Sequence, residues 1–269
     1  MRHLILLLCL AFTGSAFGSE CDSIPGAGEA LQPGTVVLLG EIHGTDQGPS
    51  TLERLVCTAL DQGLDITVGL EIPIVEQERV SAYLSSKGTD DDRAELISGN
   101  FWQRDYQDGR ASRAMRNLIV NLRDFATNTK GDLQVVLIDN PGASEGRDHF
   151  MASRLSSAIS ESPEALVVSL TGNIHSQLDR GNHFDADYKP MGYKLVGMNP
   201  KSRIISLDME HSGGSAWVCA AGYECGVMGL VGYGEGDVNR IDLYDDGNPT
   251  VLSGSFYVGE ISASRPARE

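Results

Sequence analysis

Two apolar runs of this chain end in nearly the same corner: Thr35–Leu39 leads into Gly40-Glu41-Ile42-His43, and Ala165–Thr171 leads into Gly172-Asn173-Ile174-His175. Two further runs, Asp65–Leu70 and Leu133–Ile138, end in Glu71-Ile72-Pro73 and Asp139-Asn140-Pro141. Unbroken Val/Ile/Leu runs, without a polar residue at every second position, mark strands buried on both faces. Such strands belong to a parallel sheet covered by helices. Ligands of open parallel sheets bind outside the carboxyl ends of the strands. The fold class expected is therefore α/β, a mostly parallel central sheet flanked by helices, with Glu41, His43, Glu71, Asp139 and His175 at one edge.

Between these runs the periodicity is helical. Leu52, Leu55, Val56, Ala59 and Leu60 follow a helix start at Gly48-Pro49-Ser50, and Met115, Leu118, Ile119, Leu122 and Phe125 share one face of a helix opened by Gln107-Asp108-Gly109. Ile74 to Leu84 and Glu145 to Ser160 read as further helices. Ser85 to Gly99 reads as a polar, acidic excursion. Arg203–Leu207 is a candidate fifth strand, and from Gly213 the glycine frequency rises into short strands and turns, with Asp245-Asp246-Gly247-Asn248 as a hairpin tip. The acidic turn from Asp242 to Asn248 lacks the twelfth-position glutamate of a calcium loop.

Arg2 and His3, the apolar stretch Leu4–Phe12 and the small residues through Gly18 read as a cleaved signal peptide over residues 1–18, too short to span a bilayer. Residues 19–269 then form one domain with a short-strand C-terminal extension, in a secreted or periplasmic protein. With 37 acidic against 21 basic residues the formal charge is -16, which repels phosphate backbones and anionic lipids. No nucleic acid partner and no membrane span are expected. Setting Cys9 aside with the leader leaves Cys21, Cys57, Cys219 and Cys225. An even number in an exported chain points to two disulfides, Cys219 with Cys225 and Cys21 with Cys57. A four-thiolate zinc site would need Cys-x-x-Cys spacing, which is lacking.

The edge residues are of the types that ligate metals or move protons near neutral pH. Two chemistries fit them. Histidines and carboxylates could ligate a divalent ion that activates water, or a carboxylate could orient a histidine that takes the proton itself. Spacing does not choose between these. There is no His-Glu-x-x-His helix, no Gly-x-Ser-x-Gly elbow and no phosphate loop. Trp102, Arg104, Tyr106 and Arg110 form an aromatic-basic segment that either covers the site or lies on the surface. His149 and His183 lack strand-edge context; His211 could face the same edge.

Gly40-Glu41-Ile42-His43, Glu71 and Gly172-Asn173-Ile174-His175 resemble the Gly-x-x-His and Gly-Asn-x-His signatures of the erythromycin esterase/ChaN/Tiki superfamily, and Arg147-Asp148-His149-Phe150-Met151-Ala152 resembles the Arg-Asp-x-x-Met-Ala helix of its esterase and ChaN branches. The resemblance runs from about Thr35 to Gln177. It implies a site at the strand edge with Glu41, His43, Glu71 and His175 as the catalytic set, or with His43, Glu71 and His175 as metal ligands. Arg147 and Asp139 would be cofactor- or anion-orienting partners. The superfamily includes a macrolide-ester hydrolase, metal-dependent proteases and a haem-binding iron-uptake protein. The implied functions are thus hydrolysis of a small-molecule or peptide substrate, with or without a divalent metal, and non-enzymatic binding of haem or another iron complex. The chain lacks the large helical insertions that shape the esterase cleft.

Overall fold

The computed structural model of the protein describes residues 21–128, 131–182, 184–219, 224–236, 239–244 and 251–269. The leader, the hairpin tip at 245–248 and His183 lie outside the described residues.

In chain order the elements are β1 (Thr35–Glu41), α1 (Gln47–Asp61), β2 (Ile66–Pro73), α2 (Gln77–Leu84), α3 (Asp90–Leu96), α4 (Asn100–Gln103), α5 (Arg113–Asn128), β3 (Leu133–Asp139), α6 (Arg147–Glu161), β4 (Leu166–Gly172), α7 (Asn173–Ser176), α8 (Met191–Met198), β5 (Arg203–Cys219), β6 (Cys225–Tyr233), β7 (Arg240–Leu243) and β8 (Gly254–Tyr257). The strands lie in the order β3-β2-β4-β1-β5-β8-β7. β1 pairs in parallel with β4 and β5, β2 with β3 and β4, and β5 with β8; β7 runs antiparallel to β8, and β6 antiparallel to the outer half of β5. The expected mostly parallel α/β fold is present.

Both faces of the sheet are covered, which is why the central strands β1, β2 and β4 bury apolar residues on both sides. Val37, Leu39, Val68, Leu70, Leu137 and Leu170 pack with α1, α2 and α5 in the larger core. Val36, Leu38, Ile138 and Val167 pack with Met151 and Leu155 of α6 and Leu195 of α8 in the smaller one. Connections stepping toward β3 (α1, α5) thus share one face, and those stepping back (α6, α8) share the other, as one common crossover hand requires.

Three local expectations change. The Ser85–Gly99 excursion contains α3, whose N-cap Thr89 closes a reciprocal capping box with Asp92. The helix placed after Gly109 begins at Arg113. The fifth strand runs on to Cys219, because Gly213 and Gly214 bend it at φ 107° and 127° instead of ending it. Beyond that bend β5 and β6 form a two-stranded arm. It docks where the Trp217 amide donates to the Gly44 carbonyl (2.9 Å) and the Trp217 indole to the Gln107 carbonyl (2.9 Å). Gly44 has φ 74°, and a Cβ there would meet the Trp217 carbonyl at 2.0 Å. Cys219 is bonded to Cys225 within the arm, and Cys21 is bonded to Cys57 of α1. Among the described residues no helix is long and apolar enough to cross a membrane.

Candidate active site

The two glycine-histidine corners sit side by side, since β1 and β4 are neighbours with Glu41 opposite Gly172. Each glycine makes room for the other corner. A Cβ on Gly172 would lie 2.9 Å from His43 Nε2, and one on Gly40 would lie 2.3 Å from Ser176 Oγ and 2.9 Å from the Asn173 Cα. The tight junction lets α7 turn directly off β4 and present His175. Gly48, in the first turn of α1, does the same for Glu41: a Cβ there would fall 2.0 Å from Oε2.

His43 lies between two buried glutamates. Its Nδ1 is 3.0 Å from Glu41 Oε1, and its Nε2 is 3.4 Å from Glu71 Oε2. Glu71 Oε2 also accepts from the Gly172 amide at 2.7 Å, while Oε1 accepts from Arg147 and, at 3.4 Å, from Arg110. His175 has its own carboxylate, with Nδ1 2.7 Å from Asp148 Oδ1. Asp148 is held in turn by the Tyr188 hydroxyl (2.8 Å) and the Met191 amide (2.8 Å). Arg147 Nη1 is 3.0 Å from His175 Nε2. A guanidinium has only donors, so Nε2 accepts and Nδ1 carries the proton given to Asp148. Each histidine therefore meets a carboxylate at Nδ1 and turns Nε2 toward Glu71; His175 Nε2 is 4.0 Å from Oε1.

Beneath them lies Asp139, fully buried, which accepts from Arg147 Nε (2.7 Å) and Nη2 (3.2 Å) and from Arg110 Nη1 (2.7 Å). Asp108 takes the other side of Arg110 and binds Arg104 at 2.6 Å. These bonds decide the charge states. Burial alone would raise Glu71, but His43 and Arg147 hold it well below the usual carboxylate range. Burial also works against the His43 imidazolium, yet Glu71 and Glu41 outweigh it and push its pKa up to about 10. Burial pushes the Glu41 carboxyl up, opposed by His43. Asp148 stays low despite burial because His175 and Tyr188 donate to it.

The site opens into a cavity of about 420 Å³, walled by Ile42, Tyr106, Ile174 and Val218 and floored by the histidines and arginines. Glu41, His43, Glu71 and His175 thus converge at the carboxyl edge, and Arg147 lines the cavity while Asp139 supports it from below. Tyr106 and Arg110 of the aromatic-basic segment reach the cavity, but Trp102 is buried in the larger core. His211 does not face it: its ring is buried against Tyr233 and its Nδ1 accepts from the Gly213 amide. Sequence reasoning does not single out Asp148 or Tyr188: Asp148 lies inside the Arg147–Ala152 motif without a strand end to mark it, and Tyr188 sits in a loop with no periodic signal.

Either expected cofactor would have to displace contacts already made. Arg147 fills the space between Glu71, Asp139 and His175, so a divalent ion held by His43, Glu71 and His175 would have to take its place. A haem iron needs an imidazole nitrogen, and both Nε2 atoms are engaged, by Glu71 and by Arg147.

No protein-family model and no curated protein matches the chain by sequence. Solved structures do match it by shape. A histidine-to-asparagine variant of the erythromycin esterase EreC, in its open conformation, superimposes with TM-score 0.56 at 12% identity, covering 89% of this chain and 78% of that one. A succinoglycan biosynthesis protein gives 0.62 at 10% identity, covering 88% and 90%, and a Bacillus cereus protein gives 0.55 at 11%, covering 89% and 92%. At these identities the shared property is the fold, and at that level the resemblance read from the glycine-histidine corners is borne out.

Proposed function

We propose that the chain is an exported hydrolase whose two histidines divide the proton work. The observation that carries this reading is their paired arrangement: each is oriented by a carboxylate at Nδ1, and both Nε2 atoms point to Glu71. With a pKa near 10, His43 holds its proton at neutral pH and is the donor. His175, with a lone pair at Nε2, is the acceptor. A water replacing the Arg147 contact at Nε2 gives its proton to His175 as its oxygen attacks an acyl carbonyl carbon. His43 then delivers its proton to the departing oxygen or nitrogen as that bond breaks. Glu71, between the two rings, returns the proton from His175 to His43. The products are a carboxylic acid and an alcohol or amine. Two disulfides fit an oxidising compartment.

The test is a panel of esters, lactones and peptides assayed with wild type, His43→Ala and His175→Ala, with folding checked by circular dichroism. Each substitution is expected to lower kcat/KM on the order of a hundredfold or more. A wild type that cleaves nothing, but gains a strong absorption band near 400 nm with haem, would replace the hydrolase with an iron-complex binder.

A further inference from the structure

The floor of the cavity contains three cations, which would ordinarily suggest an anionic ligand, yet most of their donors are already spent. Arg147 gives Nε and one Nη2 proton to Asp139, the other Nη2 proton to Glu71, and one Nη1 proton to His175, leaving one of five N–H groups. Arg110 gives Nε and one Nη2 proton to Asp108 and both Nη1 protons to Asp139 and Glu71, again leaving one. His43 has a carboxylate at each ring nitrogen, Glu41 at Nδ1 and Glu71 at Nε2. Four carboxylates, those of Glu41, Glu71, Asp108 and Asp139, are paired with these three cations, and Arg104 shares Asp108. A carboxylate or phosphate entering here would lose its water and meet only the single N–H left on each arginine, both of which are already paired with carboxylates. Above the floor the walls are Ile42, Ile174 and Val218, with Tyr106 at the mouth and 62% exposed.

We infer that this cavity takes an uncharged acyl compound, its apolar end against Ile42, Ile174 and Val218, and rejects anions of the same shape. The inference rests on the hydrolase reading for the word acyl; the discrimination against charge follows from the floor and walls alone. Val218 is the specificity-determining residue because it belongs to the docked arm, apart from the proton-moving groups. The arm therefore brings the chain's substrate preference to a site whose chemistry comes from the sheet.

Butyranilide and succinanilic acid are a matched pair of anilides, less reactive than esters, the second carrying a carboxylate at the far end of its acyl chain. Calorimetric titration of the oxidised protein at pH 7.5 should give at least tenfold tighter binding of butyranilide. Val218→Lys, which adds a cation to the wall, should reduce that preference at least tenfold, and Val218→Leu should leave it. Equal or tighter binding of succinanilic acid to the wild type, or saturable binding of neither compound, would overturn the inference. Phenyl butyrate, assayed in parallel, separates the two readings: a protein that binds butyranilide selectively but does not cleave the ester fails as a hydrolase while keeping the predicted preference.

Discussion

The most consequential single residue is His43, whose proton is fixed by two glutamates that are themselves almost wholly buried. Its pKa is raised from an ordinary 6.5 to about 10, so its contribution to stability is complete below pH 6.5 and is lost as pH rises through about 10. Its ring resonances in NMR are accordingly expected to remain those of an imidazolium at pH 8; a titration midpoint below 8 would remove it as proton donor. Gly48 offers a second test, where two effects oppose. Alanine within a helix is ordinarily worth about 1 kcal/mol over glycine, but here the added methyl would overlap the Glu41 carboxylate. Overpacking of about 1–3 kcal/mol wins. Gly48→Ala should lower the melting temperature and, by displacing Glu41 from His43, lower activity at least tenfold; a stabilised variant with full activity would contradict that placement. The five edge residues were legible because each lies at or within a few residues of the end of an apolar run, and a strand fixes where its end goes. Asp148 and Tyr188 reach the same site from a helix start and a loop, and no strand spacing announces them.

Among the elements, the strands of the parallel core were the most legible, because burial on both faces writes itself into every position. The β5–β6 arm was not. Its glycines read as turns, whereas Gly213 and Gly214 only bend a strand that continues to Cys219. Nothing local in the sequence says that Trp217 will find the Gly44 and Gln107 carbonyls, since those contacts cross more than a hundred residues. The disulfide between Cys219 and Cys225 closes a loop with a separation of 6 residues, so the chain-entropy estimate for it is only about 2 kcal/mol. Its larger effect is local, because Cys219 and Val218 border the cavity. Cys219→Ser/Cys225→Ser is therefore expected to cost little stability, measured by urea denaturation, but to raise KM several-fold with kcat nearly unchanged. A large fall in kcat with KM constant would place the arm in the chemistry and not in substrate holding.

At the scale of the whole molecule, α/β class, strand polarity and the shared edge all followed from the run pattern. The strand order did not. Sequence neighbours β1 and β2 do not pair; β4 lies between them and supplies the amide of Gly172 that fixes Glu71. That ordering has a consequence in time. A ribosome that has released β1, α1 and β2 has made Glu41, His43 and Glu71 but cannot yet set them at their native spacing, because the strand that separates their two carriers is about a hundred residues away. Closure of such distant pairings is slow compared with local helix formation. In refolding from denaturant, with disulfides intact, helical circular dichroism should recover first, and the proposed hydrolysis should return only with the slowest phase; hydrolysis appearing ahead of that phase would mean that the site can assemble before the sheet is complete.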